Sequence, residues 1–189
     1  MEDKKTLFER IIWDNSLIQK FTSKQLTIID ALKNNVFFGE LTKNEIKQLA
    51  RIVYEREFNT QEYIFMNGQP AAAMFIILDG EVKIVRESEN AEIEITRLKT
   101  NDTLGELALL DNSPRSASAV ATKPTKLLAI FREDLNDFIN SQPELGAKIL
   151  RKLAIITGYR LRMTNDLLVE KEEELKQCKE KLEELKEND

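Results

Sequence analysis

The sequence predicts an α+β fold, a jelly-roll β-sandwich with helices before it and one long helix after it. Three observations carry this. Between Ile52 and Phe131 the chain runs in short β-branched and aromatic segments, "IVYEREF", "EYIFM", "MFIIL", "EVKIV", "EIEITRL", "ASAVA" and "KLLAIF", the residues that suit a half-buried pleated surface. Turn residues punctuate those segments at Asn67-Gly68, Asp79-Gly80, Glu89-Asn90 and Asn101-Asp102, where tight turns need positive φ or Asx chemistry. On both flanks the apolar residues switch to helical spacing.

The first fifty residues are expected to form short helices, since Leu7, Phe8, Ile11 and Ile12, then Leu17, Ile18 and Phe21, then Leu26, Ile29 and Leu32 recur at helical intervals. Thr22 or Ser23 suits an N-cap, and Thr42 followed by Glu45 has the form of a capping box before Ile46, Leu49 and Ala50. Within the roll, "EVKIV" alternates, with Val82 and Ile84 on one face and Lys83 on the other. After Phe131, "REDLNDFIN" reads as a short helix, and "SQPELGAKILRKL" opens a long one with Pro143 in its first turn, where a missing N–H is harmless. That helix is expected to run from about Glu144 to near the end, with Gly146 and Gly158 as weak points costing about 1 kcal/mol each relative to alanine. The expected organisation is an N-terminal helical extension over 1–34, a central domain over 35–160, and a helical tail over 161–189.

In the tail, Leu161, Leu168, Leu175 and Leu182 repeat every seven residues, the signature of a coiled-coil seam. With these leucines at a, the d positions are Thr164, Lys171, Cys178 and Leu185, so the seam is imperfect. A parallel pair would set Glu174 favourably against Lys179 and Lys181 unfavourably against Lys186. A parallel homodimer is expected; a single solvated helix is the plainer alternative for so mixed a charge pattern.

Composition excludes several classes. The chain has 189 residues and a formal charge of −5, which argues against a nucleic-acid-binding surface. It has no histidine and one cysteine, Cys178, so zinc sites of the usual kind, histidine bases, serine triads and intrachain disulfides are not expected. No pair of carboxylates stands out among the 33 acidic residues, and an enzyme is not expected. The charged N-terminus lacks a signal-peptide core and the longest apolar run, Ala71 to Leu78, is too short to span a bilayer. The expectation is a soluble, cytoplasmic chain that neither binds nucleic acid nor inserts into a membrane.

The stretch "GELALLDNSPRSASA", Gly105 to Ala119, carries the functional signal. Glu106 and Arg115 stand alone among small, apolar and turn-forming residues. A strand that leaves through Gly105 into one helical turn, "ELALL", offers backbone N–H groups to an anion, and glycine lets that backbone approach closely. Pro114 fixes the following turn and aims Arg115, whose planar guanidinium suits a sheltered phosphate. Glu106, when ionised, can accept from a sugar hydroxyl.

This stretch resembles the phosphate-binding cassette of the cyclic nucleotide-binding domain family, whose pattern runs roughly G-E-L-A-L, a spacer, then P-R-x-A. The family includes the bacterial catabolite activator protein and the regulatory subunits of protein kinase A. The resemblance extends from about residue 35 to 168, through the "DGEV" turn and on to "RLRMTNDLL". It implies that Arg115 pairs with the cyclic phosphate, that Glu106 accepts from the ribose 2′-hydroxyl, and that Gly105, Leu107 and Ala108 lend backbone groups. Ser116 and Ala117 would follow the arginine at the phosphate, and Thr164 and Asn165 match positions that touch the base in bacterial relatives. Two positions depart from the pattern: Asn101 stands where a glycine is usual, and Leu104 where an aromatic is usual. Both are tolerable, because asparagine accepts left-handed backbone and leucine is still apolar.

Plainer readings exist for each residue. Arg115 could form a surface ion pair with Asp111 or Glu106, Glu106 could simply favour a helix N-terminus, Ser116 could satisfy turn backbone, and Thr164 and Asn165 could be ordinary polar helix residues. At the level of the chain, the resemblance implies a cyclic nucleotide sensor without a cofactor. It would rearrange its helices on binding and, having no DNA-binding motif after the long helix, would signal through an effector protein, through the coiled coil or through the N-terminal helices. The competing reading is a scaffold built on a roll that no longer binds nucleotide. Members selective for cGMP often carry threonine after the arginine, so Ser116 leans the expectation to cAMP.

Overall fold

The computed structural model describes residues 27–88 and 91–187. The helices expected before residue 27 and the Glu89-Asn90 turn lie outside the described residues. Residues 27–34 are helical (α1), followed by Lys43–Leu49 (α2) and a 3-10 turn over Ala50–Ile52. Thr42 and Glu45 form the expected capping box, the Glu45 N–H donating to the threonine hydroxyl and the Thr42 N–H to the Glu45 carboxylate.

Eight strands follow among the described residues: β1 Val53–Phe58, β2 Tyr63–Phe65, β3 Ala73–Asp79, β4 Glu81–Ser88, β5 Ala91–Lys99, β6 Thr103–Leu104, β7 Ser118–Ala121 and β8 Thr125–Phe131. They make two four-stranded antiparallel sheets, ordered β1-β8-β3-β6 and β2-β7-β4-β5. Seven of these strands answer to segments expected from sequence. β6 does not, because two residues are too few to show a period.

Alternation places the core. Ala73, Phe75 and Ile77 of β3, with Leu127 and Ala129 of β8, meet Val82 and Ala119 of the facing sheet, and Ile84 packs on the same cluster. The intervening residues Met74, Ile76, Leu128 and Ile130 are also fully buried, so β3 and β8 are covered on both faces, as strands between a second sheet and helices must be. Asn35 fastens the N-terminal segment to this sheet. It is 1% exposed, and its side-chain amide donates to Thr103 Oγ1 at 2.7 Å and to the Asn101 carbonyl at 3.3 Å, while its Oδ1 accepts from the Phe37 N–H at 3.0 Å.

α3, Arg132–Ser141, and α4, Pro143–Glu187, follow the roll, with Pro143 in the first turn as expected. Gly146 is a packing site as well as a weak point. A Cβ there would press on Ile139 of α3, so glycine lets the start of α4 close against α3. The chain divides into two compact units, Met1–Ala147 and Lys148–Asp189. In the second, Leu161, Leu168 and Leu175 are all more than half exposed. Among the described residues no helix is long and apolar enough to cross a membrane.

Candidate functional site

The cassette is built where β6 ends. Leu104 pairs with Phe75 and Thr103 with Ile76, which delivers Gly105 beside the start of β3. Gly105 takes the left-handed conformation at φ 71° and leads into a 3-10 turn, Glu106–Leu109. Asn101, two residues before β6, is itself left-handed at φ 74°, so asparagine does there what glycine usually does. The turn's hydrogen bonds run from Ala108 N–H to Gly105 O at 3.2 Å and from Leu110 N–H to Leu107 O at 2.9 Å. The N–H groups of Glu106 and Leu107 therefore lie at its N-terminal end, which helical geometry leaves to other acceptors. Glu106, Ala108 and Leu109 point inward and are buried, whereas Leu107 and Leu110 are exposed. Of the turn's three leucines, only Leu109 is buried.

Beyond the turn, Asp111 makes an Asx turn, accepting from the Ser113 N–H at 3.1 Å and from its hydroxyl at 2.8 Å. Pro114 then bridges to Pro70. The Arg115 backbone is held from both sides, its N–H donating to Gln69 O and its carbonyl accepting from Gly68 N–H, each at 2.8 Å. With its backbone held on both sides, the Cα–Cβ bond of Arg115 has a fixed direction.

That direction is inward. Arg115 is 8% exposed, so its guanidinium is not a surface group. Its guanidinium lies 4.0 Å above the centre of the Phe65 ring and 5.9 Å from that of Phe75, two rings that stack on each other. Nη2 donates to the Ala73 carbonyl at 2.7 Å and Nη1 to the Gly105 carbonyl at 3.3 Å. Two of five N–H bonds are thus spent on neutral acceptors, and Nε is buried with no hydrogen-bond partner. Burial pushes the guanidinium down to about 10, and the nearby Glu106 carboxylate works in the other direction. At neutral pH the group is still a cation. A buried cation with unspent donors, seated on aromatic faces, is equipped for an anion with several oxygens.

The structure brings Gly105, Glu106, Ala108 and Arg115 into one corner of the first unit. Ser116 is exposed just beyond it, and Ala117 is half-buried. Thr164 and Asn165 lie on α4 in the second unit, both exposed, and the Thr164 hydroxyl donates back to the Arg160 carbonyl at 2.9 Å. Phe65, Phe75 and the Ala73 carbonyl were not legible as site groups, because in sequence they are only strand residues.

Residues 55–142 match the family profile of the cyclic nucleotide-binding domain. The crystal structure of the N-terminal domain of a transcriptional regulator from Streptomyces coelicolor A3(2) is similar at a TM-score of 0.64 and 30% identity, over 73% of this chain and 94% of that one. The chain belongs to the cyclic nucleotide-binding domain family. It is 30% identical over 134 residues to a CRP-like cAMP-activated global transcriptional regulator of Mycobacterium tuberculosis, covering 70% of this chain and 58% of the relative. It is also 29% identical over 121 residues to human cGMP-dependent protein kinase 2, covering 64% of this chain and 15% of the kinase. The chain therefore spans little more than half of the first relative and a small part of the second. The Gly105–Ala119 cassette falls inside the matched region of the cyclic nucleotide-binding fold.

Proposed function

We propose that this chain is a cyclic nucleotide sensor, cAMP favoured over cGMP, whose binding domain extends over residues 35–160. The observation that carries the reading is the buried Arg115 guanidinium, aimed inward with an unpartnered Nε and with Glu106 close by. In this reading Arg115 pairs with the cyclic phosphate and Glu106 accepts from the ribose 2′-hydroxyl. Gly105, Leu107 and Ala108 contribute backbone, and Ser116 and Ala117 lie at the phosphate. Thr164 and Asn165 are proposed base contacts on the family resemblance alone, and the cAMP preference rests on Ser116 following the arginine.

Nothing in this chemistry calls for catalysis; ligand binding shifts populations between two arrangements of the helices that follow the roll, and a cytoplasmic effector protein reads the change. The exposed row Leu161, Leu168 and Leu175 supports a parallel homodimer through α4. Sedimentation of the full chain against Leu168→Lys tests the dimer, and two monomers would remove it.

Calorimetry with cAMP and cGMP on the wild type and on Arg115→Ala tests the site. The variant should lose about 3–5 kcal/mol of binding, the cost of leaving a buried phosphate without its partner. Unchanged affinity in the variant would sink the assignment, and a wild type that binds neither nucleotide would return the chain to the scaffold reading.

A further inference from the structure

A second arginine holds the cassette from behind. Arg132 opens α3, and its Nη1 donates to the carbonyls of Ala71 and Ala108 at 3.0 Å each and also to the carbonyl of Asp111. Its backbone N–H donates to the Ala72 carbonyl at 2.8 Å. Ala108 and Asp111 lie at the C-terminal end of the 3-10 turn, where unpaired carbonyls concentrate negative charge and a cation is favoured. Ala71 and Ala72 belong to the segment leading into β3, whose Ala73 carbonyl takes a hydrogen bond from Arg115. The two arginines therefore grip the same segment, Arg115 from within the site and Arg132 from the helix.

We infer that Arg132 is a positioning residue of the nucleotide site, fixing the Glu106–Leu109 turn to β3 and to α3 so that the turn's N–H groups and Glu106 keep their aim. Three carbonyls crowd one nitrogen that carries two protons, so one proton is shared. The clamp also ties the site to the helices, because α3 closes against the first turn of α4 at Ile139 and Gly146. A displaced cassette turn then pulls on the start of α3. The ligand part of this inference rests on the cyclic nucleotide reading; the clamp itself does not.

Amide hydrogen exchange and calorimetry with cAMP, on the full chain as wild type, Arg132→Met and Arg132→Lys, test it. In the methionine variant the Leu110 and Asp111 amides, which both donate to Leu107 O, should exchange about tenfold faster, with β3 and β8 amides unchanged and cAMP affinity about tenfold lower. Lysine, with three ammonium protons for three carbonyls, should recover most of both. Arg132→Gln, which keeps a donor, takes the place of the methionine variant should that chain not fold. Turn amides and affinity both within twofold of wild type would overturn the inference, as would exchange that rises equally throughout β3 and β8. Should the wild type bind no cyclic nucleotide, the proposed function fails while the exchange result still decides the clamp.

Discussion

The space left by the missing Cβ of Gly105 is occupied by the Arg115 guanidinium: a Cβ built there would overlap Nη1, which instead donates to the Gly105 carbonyl at 3.3 Å. Two residues ten positions apart thus share one volume. Gly105→Ala should cost about 1–2 kcal/mol of stability for a non-glycine residue held at positive φ. It should lower cAMP affinity further, by about tenfold or more, because the guanidinium must move. Urea unfolding and calorimetry on one preparation separate the two effects.

Glu106 is buried beside that cation, and its proposed partner is the ribose 2′-hydroxyl. Glu106→Gln should weaken cAMP by about 1.5–3 kcal/mol, the range for hydrogen bonds to charged groups. Binding of 2′-deoxy-cAMP should be the same in variant and wild type, since the hydroxyl that distinguishes them is gone. A loss of equal size for both ligands would assign Glu106 to Arg115 alone.

Phe65 supplies the face under Arg115 at 4.0 Å. Phe65→Leu keeps the site apolar but removes the π-face, and about 1–2 kcal/mol of cAMP binding should go with it. Phe65→Tyr should bind as wild type. Titration calorimetry reads both.

The pH dependence follows from the lowered guanidinium. Its folded pKa is about 10, below its ordinary value, with burial as the main cause and Glu106 opposing it. Below that pH Arg115 is charged folded and unfolded, so it adds no pH dependence to stability. As pH rises through about 10 the folded chain releases the proton before the unfolded one, so this group's contribution to stability increases there. Binding moves oppositely, because it needs the cation: affinity for cAMP should be flat from about pH 6 to 9 and fall above about 10. Calorimetry across that range checks it.

Asn35 is buried with its amide donors and its Oδ1 all bonded. Asn35→Ala leaves the Phe37 N–H and the Thr103 hydroxyl without those partners, and about 2–3 kcal/mol of stability should be lost. The midpoint of urea unfolding measures it.

Much of this architecture is legible in one sequence because it depends on local pattern. Strand runs, turn residues at Gly68, Gly80 and Asn101, the Thr42–Glu45 box and the start of the long helix at Pro143 each follow from neighbours a few residues apart. The cassette was legible for the same reason, since Gly105, Glu106, Pro114 and Arg115 sit in one short stretch.

The direction of the arginine was not legible. The sequence left Arg115 free to lie on the surface against Asp111, and only the closing of the roll turns it onto Phe65, 50 residues earlier, and under the Ala73 carbonyl. Arg132 was likewise one charge at the head of a short helix until folding gathered three carbonyls around it. Local pattern determined which residue types stand in the cassette. Long-range strand pairing decided which of their protons are spent, because hydrogen-bond partners distant in sequence meet only when β3, β6 and β8 share a sheet.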